Sequence, residues 1–226
     1  IGVTDVAGES GDFTAAGGTF SGSIAGWPTT NKVITSYFGA RNANVKGATR
    51  NHGGMDISVG GVSGTGINSL TDGTAKFYER GKDSFVQVTY GTLTIDYMHV
   101  RAVSPVNTAQ AVPVRAGQRI AVSAPYAESA PHLHLQVSSS SITPNAARQA
   151  WPRNVGTSSS ILSGTTYGVV NSDNTKLYLN PICFFDRKFI ESVPKSGTQA
   201  TSDPYEACHA YEQTFGLSRR AAFSKT

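Results

Sequence analysis

The sequence predicts a mainly β protein built on an antiparallel sheet core, with α structure confined to a minor share. Three observations point there. Short apolar bursts separated by Gly, Asp, Asn and Pro recur through the first two thirds of the chain. Gly and Pro together make up 24 + 10 = 34 of the 226 residues, a turn-rich composition. Charged residues are only 15%, against roughly 25% in an average globular chain, which argues against long solvated helices.

Residues 1–26 carry seven Gly, three acidic and no basic residues without a sustained period, so they are expected to be a linker or the remnant of a propeptide. From Trp27 the texture changes. Bursts at 33–38, 75–78, 85–90, 92–100, 119–123 and 132–137 predict six or more short strands. FVQVTYGTLTIDYMHV predicts a hairpin turning near Gly91, with Val86, Val88 and Tyr90 alternating on one arm and Leu93, Ile95 and Tyr97 on the other. Residues 138–176 are rich in Ser, Thr, Asn and Gly and predict a long insertion or lid. Asp203, Pro204 and Glu206 then read as N-cap, first-turn proline and capping-box acid of a helix over about 204–215, closed by Gly216. The expected division is therefore a linker at 1–26, a folded domain at 27–190 holding the insertion, and a C-terminal extension at 191–226.

No apolar run is long enough to span a membrane. The net charge of +4 comes from basic residues that nowhere form runs of five or more, so nucleic acid is not the expected partner, and an anionic polymer such as a cell wall suits the charge.

The five histidines stand at 52, 99, 132, 134 and 209. In Arg50–Asp56 a His and a carboxylate lie four apart across Gly53 and Gly54, which disfavour a helix and permit a tight turn bringing both to one side. In Pro131–Val137 alternation places His132, His134 and Gln136 on one face and Leu133, Leu135 and Val137 on the other. His99 ends the strand TLTIDYMH, on the expected face of Tyr97 and Ile95. Each context alone fits an ordinary surface or packing role. Together, two His and one Asp form a set that gives a catalytic zinc three protein ligands and leaves an open position. Spacing does not choose between His132 and His134. His209 is read as structural.

HxxxD, a strand ending in His, and HxH resemble the M23 family of zinc metallopeptidases, the lysostaphin- and LytM-like cell-wall endopeptidases. VITSYFGAR at 33–41, GTGINSLTDGTAKF at 64–77 and the hairpin followed by VRAGQRIAVSA are similar to the family's segments in the same order, so the likeness covers about residues 27–137, and Asn180 and Pro181 resemble its closing segment. The sequence departs from the pattern at Ala130 and Gln136 beside the HxH strand.

The resemblance implies a LytM/lysostaphin-type sheet with a groove, and one zinc per chain on His52, Asp56 and His134. It implies His99 and His132 as the non-ligand pair handling the water proton and the transition-state charge. The implied activity is hydrolysis of peptidoglycan stem or bridge peptides by a secreted or periplasmic enzyme, expected to be a monomer. Two other classes stay open: an inactive wall-binding or hydrolase-activating module, and a protease of Gly-rich proteins. Cys183 and Cys208 allow one pairing, and the extracellular setting favours a disulfide over two buried thiols.

Overall fold

In a computed structural model of the chain, residues 10–15, 18–23, 26–41, 48–197 and 203–219 are described. The strands are β1 (Ser10–Ala15), β2 (Gly18–Ser23), β3 (Ile34–Ser36), β4 (Gly39–Ala40), β5 (Asn51–His52), β6 (Met55–Ser58), β7 (Gly66–Asn68), β8 (Gly73–Tyr78) and β9 (Phe85–Tyr90). They continue as β10 (Leu93–Met98), β11 (Val100–Ala102), β12 (Val112–Val114), β13 (Arg119–Ser123), β14 (His132–Ser139), β15 (Val155–Thr157), β16 (Gly168–Val170), β17 (Leu177–Leu179) and β18 (Ser218–Arg219). The helices are α1 (Pro144–Ala150), α2 (Arg187–Ser192) and α3 (Glu206–Phe215).

The main sheet runs β12-β8-β9-β10-β14-β17-β16-β15. Along one edge β14 pairs with β10; along the other its first half pairs with β6 and its end with β17. All these pairs are antiparallel; β15 and β16 run parallel, and a single parallel bridge joins Ile34 to Lys195. The expected hairpin is β9–β10, with Tyr90 opposite Leu93 and Gly91 in the left-handed region at φ 57°.

Register divides the sheet into two faces, because directly paired residues point the same way. Leu133, Leu135 and Val137 of β14 lie with Ile57, Met55, Ile95 and Tyr97 in the buried core, to which Ile67, Val100 and Ile120 of the smaller β11-β13-β7 sheet also belong. The opposite face carries His132, His134 and Gln136 together with Asp56 of β6 and Asp96 of β10. The alternation of β14 thus separates the core from a polar floor.

Three expectations are corrected. The segment 138–176 is not a lid laid over the fold: it finishes β14, forms α1 capped by Thr143, and adds β15 and β16 to the sheet. Val155, Val169 and Val170 supply the burial that its polar composition hides. In α3 the cap lies at Tyr205. Asp203 accepts from the Tyr205 amide instead, and Glu206 leaves the helix end to bind the Tyr167 and Thr165 hydroxyls. Third, His99 does not share the face of Tyr97 and Ile95. It sits beyond the end of β10 at φ 62°, where the strand alternation is broken.

Within the stretch read as an N-terminal linker, β1 and β2 pair as a hairpin and β18 joins β1; residues 1–9, 16–17 and 24–25 lie outside the described residues. Cys183, in the turn Pro181–Phe184 after β17, is bonded to Cys208 of α3. No helix among the described residues is long and apolar enough to cross a membrane.

Candidate metal centre

Three short elements deliver the donors. His134 on β14 lies directly opposite Asp56 on β6, and His52 ends β5, where Gly39 of β4 is its partner. The turn Gly53–Gly54 folds β5 back onto β6. Gly54 is required there, because a Cβ would stand 2.4 Å from the Leu135 carbonyl and 2.7 Å from His134 Nε2.

His134 Nδ1 is 2.8 Å from Asp56 Oδ1 and 2.9 Å from His52 Nε2, and His52 Nε2 is 3.2 Å from Asp56 Oδ1. The tautomer of His52 follows from its other nitrogen, which donates to the Tyr37 carbonyl at 2.7 Å and must carry the proton, leaving Nε2 a lone pair. Both neighbours of His134 Nδ1 are therefore acceptors, and a single proton serves three converging donor atoms. Removing that proton leaves N, O and N lone pairs around one point, and His and carboxylate are ligands zinc accepts. In a tetrahedral zinc site the ligand atoms stand about 3.3–3.6 Å apart, so a small outward relaxation of this triangle seats the ion. His52, Asp56 and His134 are the group the described residues offer for a metal.

Arg41 Nη2 holds the second oxygen, Asp56 Oδ2, at 3.0 Å, which turns Oδ1 toward the histidines. Burial by itself raises the Asp56 carboxyl, but the adjoining His52 and His134, which attract and hydrogen-bond the carboxylate, outweigh it, and the group lies well below the usual carboxylate range. Burial pushes the His134 imidazole down, so the ring favours its neutral form.

The other two imidazoles stand beside this triangle. The rings of His99 and His132 are 4.9 Å apart, and His99 is 5.8 Å from the His134 ring. His99 Nδ1 donates to the Lys82 carbonyl at 2.9 Å and His132 Nδ1 to the Ala130 carbonyl at 3.0 Å, so each keeps Nε2 free as an acceptor. His132 Nε2 lies 3.9 Å from Asp56 Oδ1. Burial lowers His99 to about 4, which keeps it neutral at ordinary pH. His52, His99, His132 and His134 thus meet around Asp56, while His209, read as structural, lies on α3 and takes no part in these contacts.

Three contributors escaped the sequence reading. Tyr126 packs at 4.2 Å on the His99 ring and 5.1 Å on the His132 ring. Asn51, buried, donates to the carbonyls of Thr157 and Ser160 at 2.9 and 2.7 Å and accepts from Thr166 at 3.2 Å, clamping the 155–166 segment to the strand that carries His52. Arg41 was part of VITSYFGAR but had no assigned role. Tyr126, between Pro125 and Ala127 in a loop, carries no pattern that would mark it.

The fold and site define a β-sheet protein with a two-His, one-Asp centre attended by two further imidazoles. No protein-family model matches the chain, and no curated protein matches its sequence. Among solved structures it is similar to the antimicrobial peptidase lysostaphin from Staphylococcus simulans, at 17% identity and a TM-score of 0.45 over 81% of this chain and 62% of that one. It is also similar to the catalytic domain of the prophage-encoded M23 protein EnpA from Enterococcus faecalis, at 19% identity and 0.40 over 52% of this chain and 88% of that one. Helicobacter pylori Csd3 matches at 23% identity and 0.40 over 57% of this chain, which spans only 36% of Csd3.

Proposed function

We propose that the chain is a zinc-dependent endopeptidase hydrolysing peptide cross-links of bacterial peptidoglycan, acting outside the cytoplasm, with residues 27–190 as its catalytic domain. The observation that carries this reading is the convergence of His52 Nε2, Asp56 Oδ1 and His134 Nδ1 within 3.2 Å of one another, flanked by two imidazoles with free Nε2 atoms. The ordered HxxxD, His and HxH motifs support the substrate class. All five positions are filled, which favours an enzyme over a binding module that has lost its chemistry.

His52, Asp56 and His134 hold the metal. When bound, zinc polarises the scissile carbonyl and brings the pKa of its water toward neutrality. The Tyr37 carbonyl fixes the His52 tautomer, and Arg41 fixes the carboxylate, so the donors are set before the ion arrives. His99, kept neutral by burial, accepts the proton of the attacking water at Nε2. The proton taken by His99 Nε2 then passes to the leaving amine, and His132 at its side faces the charge developing on the carbonyl oxygen, which it meets as a donor once its own Nε2 carries a proton. Tyr126 packs against both rings and helps to hold them beside one another.

Product analysis after digestion of purified walls tests the reading. New amino termini released from glycine-bridged or directly cross-linked walls support it. Intact cross-links in both, with zinc present, contradict it.

A further inference from the structure

Beside the metal centre the structure holds a cavity of about 890 Å3. Its apolar wall is formed by Phe77, Val100, Ala102, Val106 and Ala124, and Tyr126 completes it. Tyr126 is at once a wall of this cavity and the ring lying against His99 and His132. The cavity therefore adjoins the reacting centre, with the Tyr126 ring between the two.

The same residues hold His99 in place. Its amide donates to the Ser84 carbonyl at 3.0 Å, its carbonyl accepts from the Ala124 amide at 2.9 Å, and its ring donates to Lys82; all three partners also line the cavity. Lys82 is tied in turn to Glu128 across the mouth. A pocket of this size with an apolar wall and charged groups at its edge matches the construction of small-ligand sites, where apolar walls supply affinity and edge groups fix orientation. An all-glycine peptide has nothing to place in it.

We propose that this cavity is a subsite for an aliphatic side chain of the peptide next to the bond being cut. The inference rests on the peptidase reading above and sharpens it: cross-links bearing side chains at the cut are the preferred class, and all-glycine bridges are poor substrates. A leucine side chain entering the pocket covers its half-buried wall residues Phe77, Ala102 and Ala124, and each such methylene group in an apolar pocket is worth roughly 10-fold or more in discrimination.

The test uses two synthetic peptides that differ only in glycine or leucine at the residue next to the scissile bond. The zinc-loaded full chain is expected to cleave the leucine peptide with a kcat/KM about 10-fold or more above the glycine peptide. Ala102→Phe and Ala127→Phe place a ring in the cavity from its floor and from its exposed lip, and each is expected to bring that ratio toward one; melting temperatures identify a variant that has not folded. In parallel, amide shifts of the metal-free protein are followed while each peptide is added. Shifts at Ala102 and Val106 with the leucine peptide alone support the subsite even if neither peptide is cleaved, in which case the peptidase reading fails and the subsite stands. Equal cleavage of both peptides, or shifts that do not distinguish them, overturns the proposal.

Discussion

Asp56 and His134 face each other as a register pair across β6 and β14, with Oδ1 2.8 Å from Nδ1. The site therefore inherits its geometry from strand pairing, because a slip of one residue in either strand would turn that strand's side chain into the core and part the pair. His52 is delivered separately by the Gly53–Gly54 turn, which makes that turn the adjustable part of the centre.

Gly54→Ala is expected to damage the centre without replacing a ligand. The new Cβ meets the Leu135 carbonyl, which belongs to the sheet and cannot step aside. Zinc affinity measured by competition with a chelator should fall by about 10- to 100-fold, the range for losing the groups that orient ligands. Gly53→Ala, whose Cβ would stand 3.3–3.4 Å from the movable side chains of Tyr178 and Gln136, should fall much less. Equal affinities for the two variants would show that the turn does not set the site.

His99→Ala and His132→Ala are expected to keep zinc bound while turnover of cell walls falls by about 10²- to 10⁴-fold, the usual consequence of losing a general acid or base. Steady-state rates beside metal content read this. Parental turnover in both variants would remove the two imidazoles from the chemistry.

Acid should destabilise the metal-free protein in a defined window. His99 is lowered by burial from 6.5 to about 4, so between these values the unfolded chain binds the proton and the folded one does not. The contribution is fully present above pH 6.5 and is lost as pH falls toward 4. His134, also lowered by burial, acts in the same direction. Melting temperatures between pH 7 and 4.5 should drop more steeply for the parent than for His99→Ala, and parallel slopes would contradict the assignment. An imidazole pair losing function together in mild acid is the simple expectation from an ordinary histidine pKa; burial moves the His99 share of that loss down to about pH 4.

Reduction of Cys183–Cys208 opens a loop with a sequence separation of 25 and should lower stability by about 2–4 kcal/mol. Thiol counting in denaturant should find no free thiol before reduction and two after. Two thiols in protein kept from reductant would mean that α3 is not stapled to the turn after β17.

How far the site was readable follows from which residues carry a period. His132 and His134 sit in strict alternation with Leu133, Leu135 and Val137, so their shared polar face could be read directly. The His52–Asp56 turn was legible through its glycines. His99 was misplaced because a single residue at φ 62° ends the alternation, and no local signal announces a left-handed non-glycine residue. The 138–176 segment was misread because β15 and β16 are three residues each and gain their burial from tertiary pairing rather than from a local pattern. Arg41, Asn51 and Tyr126 act through contacts with residues distant in sequence, which neither composition nor period encodes.

The sharpest test is the metal content after dialysis against zinc, since the proposed chemistry depends on the triangle of His52, Asp56 and His134. About one zinc is expected per parental chain, as an open three-ligand site binds one ion, and little or none in Asp56→Ala and His134→Ala. Stoichiometric zinc in both variants would contradict the ligand assignment.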